Sequence, residues 1–346
     1  MSGAVAARAG RWRIAARTLL AVLCGSFAAA AETQAIRIAL AREASAAPLL
    51  VGIASRAFAA EGLEPQLIFL ASDASASTAV ANGKADVGLA GLSAPFYRFA
   101  ATHGLKMIAS RSRDKPGFPT CALLVSQKAR AAGLSDVRGL SRARIGVAST
   151  DSDAYYALFR VASRFSLDGA SLQTTPLKSP EAAVEALTCG KVDVALLPLP
   201  AAVRSARAGR GSLIFLSDFA EWQQGVVFTT AKNIAARRSL IERFMRAYQR
   251  GAAEYELDFL QYDDAGDFIP GPHYESYLGS VARQVGTSAA WVAMTRPYCD
   301  RRANLDVADI ERQVRFWQGR GALDKNVAPG ELLDVSFIGA ETVPTR

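Results

Sequence analysis

The side chains of this sequence with the types and positions to hold a small molecule suit binding rather than bond breaking. Arg42 stands just past the apolar run IRIAL, where a guanidinium can grip a carboxylate or sulfonate through two parallel hydrogen bonds. Ser45, Ser75, Ser93 and Ser149 each follow a strand-like segment and offer both a donor and an acceptor. Asp151 adds acceptors, Tyr155 a ring with a hydroxyl, and Trp222 a large face that can stack on a planar molecule. Each has an ordinary structural use as well. Ser45, Ser75, Ser149 and Asp151 are good helix caps, Arg42 can pair with a neighbouring acid such as Glu43, and Trp222 can simply pack. Of Tyr155 and Tyr156, helical spacing puts one toward a core and leaves the other for a cleft. Ser93 is the strongest candidate, because Gly91 before it lets a ligand approach the backbone.

Other chemistries find little support. No nucleophile elbow is present, and with only His103 and His273 in the chain neither a metal site nor a cofactor is expected. Asp263, Asp264 and Asp267 lack the spacing and closing glutamate of a calcium loop and read as solvated loop. Residues 1–31 have the plan of a secretory signal peptide: Arg8, Arg11, Arg13 and Arg17, then an apolar segment, then alanines. Its removal would lower the formal net charge from +8 to +4. That excess is dispersed, without a basic block, so nucleic acid is not an expected partner, and no later apolar run is long enough for a membrane helix. Cys121, Cys189 and Cys299 follow the leader, which permits one disulfide of undetermined pairing or three free thiols.

The elements that must position these residues are repeated. NGKADVGLAG at residues 82–91 returns as CGKVDVALLP at residues 189–198, with Gly83, Lys84 and Asp86 each 107 residues before Gly190, Lys191 and Asp193. Leu40, Phe58, Gly62, Leu70 and Val80 find apolar or glycine counterparts at the same offset without a gap. Each copy reads strand, helix, strand, helix, strand, with continuous apolar strands that demand cover on both faces. The glycine of the repeated turn stops a helix in the left-handed conformation and the aspartate leads into the next strand. Beyond the third strand, residues 105–110 align with 212–217 and residues 121–129 with 228–236. Polar linkers at 112–120 and 218–224 lie between them. The expectation is an α/β fold of two similar lobes with parallel or mixed sheets, joined by a two-segment hinge, each lobe lending the other a strand. Residues 32–115 and 225–346 form lobe I and residues 118–217 lobe II. Residues 239–260 make a long helix with Leu240, Phe244, Ala247 and Gly251 along one stripe, and helices near Trp291 and over 306–319 pack outside lobe I.

Four segments in order then resemble one family: ANGKADVGLAG, ALLVSQKARAAGLSDVRGLSRARIGVAST, VVFTTAKNIAARRSLIERFMRAYQRGAAE and VRFWQGRGALDKNVAPGELLDVSFI. They are similar to the periplasmic solute-binding proteins of ABC importers, in the branch handling nitrate, sulfonates, taurine and thiamine pyrimidine precursors. The resemblance covers residues 36–338 and implies the type II periplasmic-binding-protein fold. It further implies a protein that closes on a small solute and docks on an inner-membrane permease; a monomer is expected because nothing in the sequence suggests an oligomer seam. In such a fold ligands lie beyond the carboxyl ends of the parallel strands, here the loops at 41–47, 72–77, 91–95, 149–153 and 198–201. Arg42 against Asp151 and Asp153 favours a zwitterionic or amphipathic solute over an inorganic anion. Two alternatives share the fold, an enzyme related to thiamine-pyrimidine synthases or aromatic-pathway dehydratases, and a ligand-sensing module for a membrane receptor. Scattered cysteines and secretion argue against the enzyme.

Overall fold

A computed structural model describes residues 33–337; the expected leader, with Cys24, lies outside the described residues. The first half of the chain runs β1 (Gln34–Ala41), α1 (Ala47–Ala54), α2 (Ala57–Ala60), β2 (Leu63–Leu70), α3 (Asp73–Ala81), β3 (Val87–Gly91), α4 (Ala94–His103) and β4 (Leu105–Asp114). The chain continues with β5 (Cys121–Val125), α5 (Gln127–Ala131), β6 (Arg144–Val147), α6 (Asp153–Arg164), β7 (Gln173–Pro176), α7 (Pro180–Thr188), β8 (Val194–Pro198), α8 (Leu199–Arg207) and β9 (Ser212–Phe215). Then follow β10 (Trp222–Thr230), α9 (Ala231–Phe259), the hairpin β11 (Gln261–Tyr262) and β12 (Phe268–Ile269), α10 (Tyr274–Val285), α11 (Ala289–Met294) and α12 (Val307–Gly319).

Two five-stranded sheets result, ordered β2-β1-β3-β10-β4 and β7-β6-β8-β5-β9. In each, three parallel strands from one copy meet an antiparallel strand from the other half of the chain. The exchanged strands are β10, between β3 and β4, and β5, between β8 and β9. Apolar strands covered on both faces explain why they fold inward: Ile36, Ile38 and Leu40 of β1 are all buried. The chain passes from one sheet to the other at residues 115–120 and returns at 216–221, a shorter pair of crossings than the linkers read from sequence. Residues 112–114 and 222–224 belong to β4 and β10, where Trp222 pairs with Asp114 and Gln223 with Arg113. Polar composition there reflects buried hydrogen bonding, Gln223 donating to Ser110 and Ser112 and Asp114 accepting from Thr120, while the backbone stays in the ladder.

The repeated turn does more than end a helix. Gly83 and Gly190 have φ of 70° and 73°, as a left-handed stop requires. Asp86 accepts from the backbone N–H and guanidinium of Arg37, at 2.9 and 2.8 Å, and from Arg237. Asp193 repeats this with Arg144, whose N and Nη2 donate at 2.9 and 2.8 Å. Arg37 and Arg144 are themselves 107 residues apart, so the duplication preserves an ion pair that ties β1 to β3 and β6 to β8. Helix capping is duplicated too, Ser72 and Ser179 accepting from Ser75 N–H and Ala182 N–H.

Two helices depart locally from regular geometry. The helical run after β1 breaks into α1 and α2 at Arg56, whose φ is 61°. Arg237 has non-helical backbone angles within α9, so its regular length begins close to the expected residue 239. Leu240, Phe244, Ala247 and Gly251 are buried there. A Cβ on Gly251 would lie 2.6 Å from Gly52 Cα, so the two glycines let α9 and α1 touch backbone to backbone. Cys121, Cys189 and Cys299 are all free, Cys189 exposed and the others buried.

Candidate functional site

The carboxyl ends of β1, β2 and β3 face those of β6 and β8 across a cleft of about 620 Å³. Its floor is built by β4 and the exchanged strand β10. Arg111 comes from β4 and Gln224 from β10, neighbours in space only because β10 returns to the first sheet. Arg111 is 2 % exposed, and its Nη1 lies 3.4 Å from Glu43 and 3.7 Å from Asp73. Nη2 donates to Gln224 Oε1 at 3.3 Å. Gly225 makes this packing feasible, since a Cβ there would stand 2.4 Å from Arg111 Nε. Gln224 Nε2 in turn donates to Asp153 Oδ2 at 2.9 Å, while Gly91 N–H donates to Asp73 Oδ2 at 2.5 Å.

Two carboxylates therefore face one buried guanidinium directly, and a third, Asp153, joins them through Gln224. Burial raises the carboxyl of Glu43 above its ordinary range despite the pull of Arg111, and Asp73 adds to the rise as a like charge. Burial likewise raises Asp153, opposed by the hydrogen bond from Gln224. Arg111 Nε and Asp73 Oδ1 are buried with no hydrogen-bond partner among the described residues. Glu43, Asp73 and Asp153 outnumber Arg42 and Arg111 in the cleft, and one buried donor and one buried acceptor remain open there. Pro198, Leu199, Pro200 and Trp291 supply the apolar wall.

Three of the residues expected from the sequence line this cleft: Arg42, Ser45 and Ser93. Arg42 sits over the ring of Phe69, 4.0 Å from its centroid, and donates to Gln284 O at 2.6 Å. Ser45 donates to Glu43, and Ser93 caps α4 by accepting from Phe96 N–H. The others lie elsewhere. Ser75 is exposed on α3, beside the Ser72 that does the capping. Ser149 accepts from Asp151 N–H in the turn before α6, and Asp151 faces Arg98 at 3.8 Å near the surface; Ser152 is the cap. Tyr155 and Tyr156 are both buried, held by Arg320 and Asp309, so neither ring faces the cleft. Trp222 is fully buried within β10, because its strand pairing turns it into the core.

The cleft residues that single-residue reading passed over are Asp73, Arg111, Gln224 and Trp291. An arginine inside the apolar strand LKMIASRSRD and glutamines beside WQQGVV are signals of buried polar work. The helices near Trp291 do not pack solely on the outside of the first sheet. Val285, Gly286 and Thr287 at the end of α10, with Trp291 on α11, roof the cleft, and Arg204 of α8 lies 5.5 Å from the Trp291 ring.

Comparison with known proteins agrees with this geometry. The NMT1/THI5 like family model matches residues 43–256. The periplasmic aliphatic sulphonate binding protein SsuA of Escherichia coli superposes with a TM-score of 0.62 at 14% identity, over 87% of this chain and 97% of that one. The alkanesulfonate-binding protein SsuA of Xanthomonas axonopodis pv. citri, bound to MOPS, gives 0.58 at 18% identity, over 88% and 99%. A Candida albicans protein described as having the generic periplasmic binding protein fold, the CA3427 gene product, gives 0.58 at 13% identity, over 89% and 98%. No curated protein matches the sequence significantly. The chain thus has the periplasmic-binding-protein fold.

Proposed function

We propose that this chain, which belongs to the NMT1/THI5-like family, is the periplasmic substrate-binding component of an ABC-type importer, and that its solute carries a protonated nitrogen. The grouping of Glu43, Asp73 and Asp153 in one cleft, the first two on Arg111 and the third on Gln224, carries this reading. Arg111 is already engaged by that group and by Gln224, so the floor holds more negative charge than it can neutralise. A unit charge about 4 Å away counts roughly 4 kcal/mol at an effective permittivity near 20, enough to choose the sign of the ligand. An ammonium or amidinium resting on Glu43 and Asp153 is stabilised; a nitrate or simple sulfonate in the same place is repelled. Arg42 at the cleft wall leaves room for an anionic end, so zwitterions such as amino sulfonates and amino-substituted heterocycles fit best. Contacts to both lobes would favour closure about residues 115–120 and 216–221, and the closed form would dock on the permease.

Binding without turnover is supported by the same chemistry. Cys121 is the one thiol lining the cleft among the described residues, and burial pushes it well above the ordinary thiol range. Neither histidine lines the cleft to serve as its base.

The test is a thermal-shift and calorimetric screen against taurine, aminopyrimidines, amino acids, simple alkanesulfonates and nitrate. A solute at about a hundred times its dissociation constant stabilises the fold by roughly 2.7 kcal/mol. Hits confined to compounds with a protonated nitrogen, weakened at least tenfold by Asp153→Asn, are expected. Hits confined to nitrate and amine-free sulfonates would overturn the ligand class, and consumption of a bound compound would overturn the transport role.

A further inference from the structure

Away from the cleft, α9 and the start of α10 bring together Glu254, Asp258 and His273, with one donor atom from each lying within 4.8 Å of the others. Glu254 and Asp258 stand one helical turn apart, so their carboxylates share a face of α9. His273 is delivered by the loop that follows, and it directly precedes α10. A search for histidines and cysteines in the sequence passes over this set, because two of its members are helical acids.

Asp258 is the decisive residue. It is fully buried, and its Oδ1 accepts from His273 N–H at 2.7 Å. Its Oδ2 is buried without any hydrogen-bond partner, 3.8 Å from His273 Nδ1. No lysine or arginine among the described residues pairs with Glu254 or Asp258. The loop is drawn tight over the carboxylate, a Cβ on Gly271 falling 2.5 Å from Asp258 Oδ1. An unpartnered carboxylate oxygen at zero exposure is costly unless a cation or proton meets it. Hydrogen bonding of Asp258 to the N–H of His273 explains Oδ1, and it leaves Oδ2 unpartnered beside the imidazole and the Glu254 carboxylate. His273 itself is 58 % exposed on its side chain, which gives an ion and its waters a way in.

We propose that Glu254, Asp258 and His273 bind a divalent transition-metal ion of the zinc class. One imidazole nitrogen with two carboxylate oxygens suits zinc, cobalt or nickel; calcium and magnesium prefer sets made of oxygen alone. Three protein ligands leave the remaining positions to water. The ion clamps the beginning of α10 to α9, and the far end of α10 supplies Val285 and Gly286 to the roof of the cleft. Metal occupancy therefore steadies an element that lines the solute site, without entering that site.

The experiment uses the full mature chain free of any polyhistidine tag, stripped with a chelator and dialysed. Zinc chloride is then titrated by calorimetry and by thermal shift, alongside calcium and magnesium chloride. One zinc ion per chain, a rise in melting temperature with zinc but not with calcium or magnesium, and a dissociation constant weakened at least tenfold by both His273→Ala and Glu254→Gln are expected. These two variants are chosen because Asp258 is buried and its replacement endangers the fold. Absence of stoichiometric zinc binding overturns the proposal, as does zinc binding that both variants retain, or a shift given by calcium and not by zinc.

Discussion

Gln224 Nε2 donates to Asp153 Oδ2 at 2.9 Å, joining a strand of the first sheet to the first turn of a helix that covers the second. The same amide oxygen receives Arg111 and Ser112, so one side chain couples the cleft floor to the opposite lobe. Gln224→Ala should release this link and leave Asp153 without its side-chain donor. A larger radius of gyration for the free protein in solution scattering, together with solute binding weakened by about tenfold, is the expected result. An unchanged scattering curve would mean that the contact does not hold the lobes.

The two tryptophans near the site should separate cleanly. Trp222 is fully buried and Trp291 lines the cleft. Trp222→Ala removes a core side chain, a change that typically costs about 3–5 kcal/mol and so should appear as a large fall in denaturation midpoint. Trp291→Ala should leave that midpoint nearly in place and weaken binding of the solute. The reverse pattern would show that the cleft has been misplaced.

Asp114 gives a pH dependence with a definite sign. It is buried where β4 ends, accepts from Thr120 N–H and Oγ1 at 2.8 and 2.6 Å, and burial pushes its carboxyl up to about 8. The folded chain therefore keeps a proton that the unfolded chain gives up near pH 4. Its contribution is complete below that value and lost as pH rises toward 8, so stability should fall across this window. Melting temperatures from pH 5 to 8.5 should decline less in Asp114→Asn than in the parent. Glu43 and Asp153, raised in the same direction, keep some slope in the variant. Equal slopes would remove Asp114 from this role.

The duplicated ion pairs make an internal comparison. Asp86 is 3 % exposed and holds two arginines that are 39 % and 37 % exposed. Asp193 is 27 % exposed and, among the described residues, forms its ion pair with Arg144 alone. Asp86→Ala should cost about 2 kcal/mol in denaturant unfolding, below the range for a fully buried pair because both cations can hydrate. Asp193→Ala should cost markedly less, since an exposed pair is screened by water. Equal losses would mean that burial does not set the value of these turns.

The sequence by itself determined the repeat, the strands and helices within it and the exchange of β5 and β10, because apolar periodicity and a glycine stop act locally and survive duplication. It also located the loops of the cleft, since Arg42, Ser45 and Ser93 follow their strands directly. Which side chains meet in that cleft was decided only by the tertiary structure. Arg111 and Gln224 lie 113 residues apart and become neighbours through the return of β10 to the first sheet. Trp222, read as a linker residue, is turned into the core by its pairing with Asp114. The excess of carboxylate over guanidinium and the grouping of Glu254 and Asp258 with His273 are likewise properties of distance. Distance between residues far apart in the chain is set by how sheets and helices pack, which no local pattern encodes.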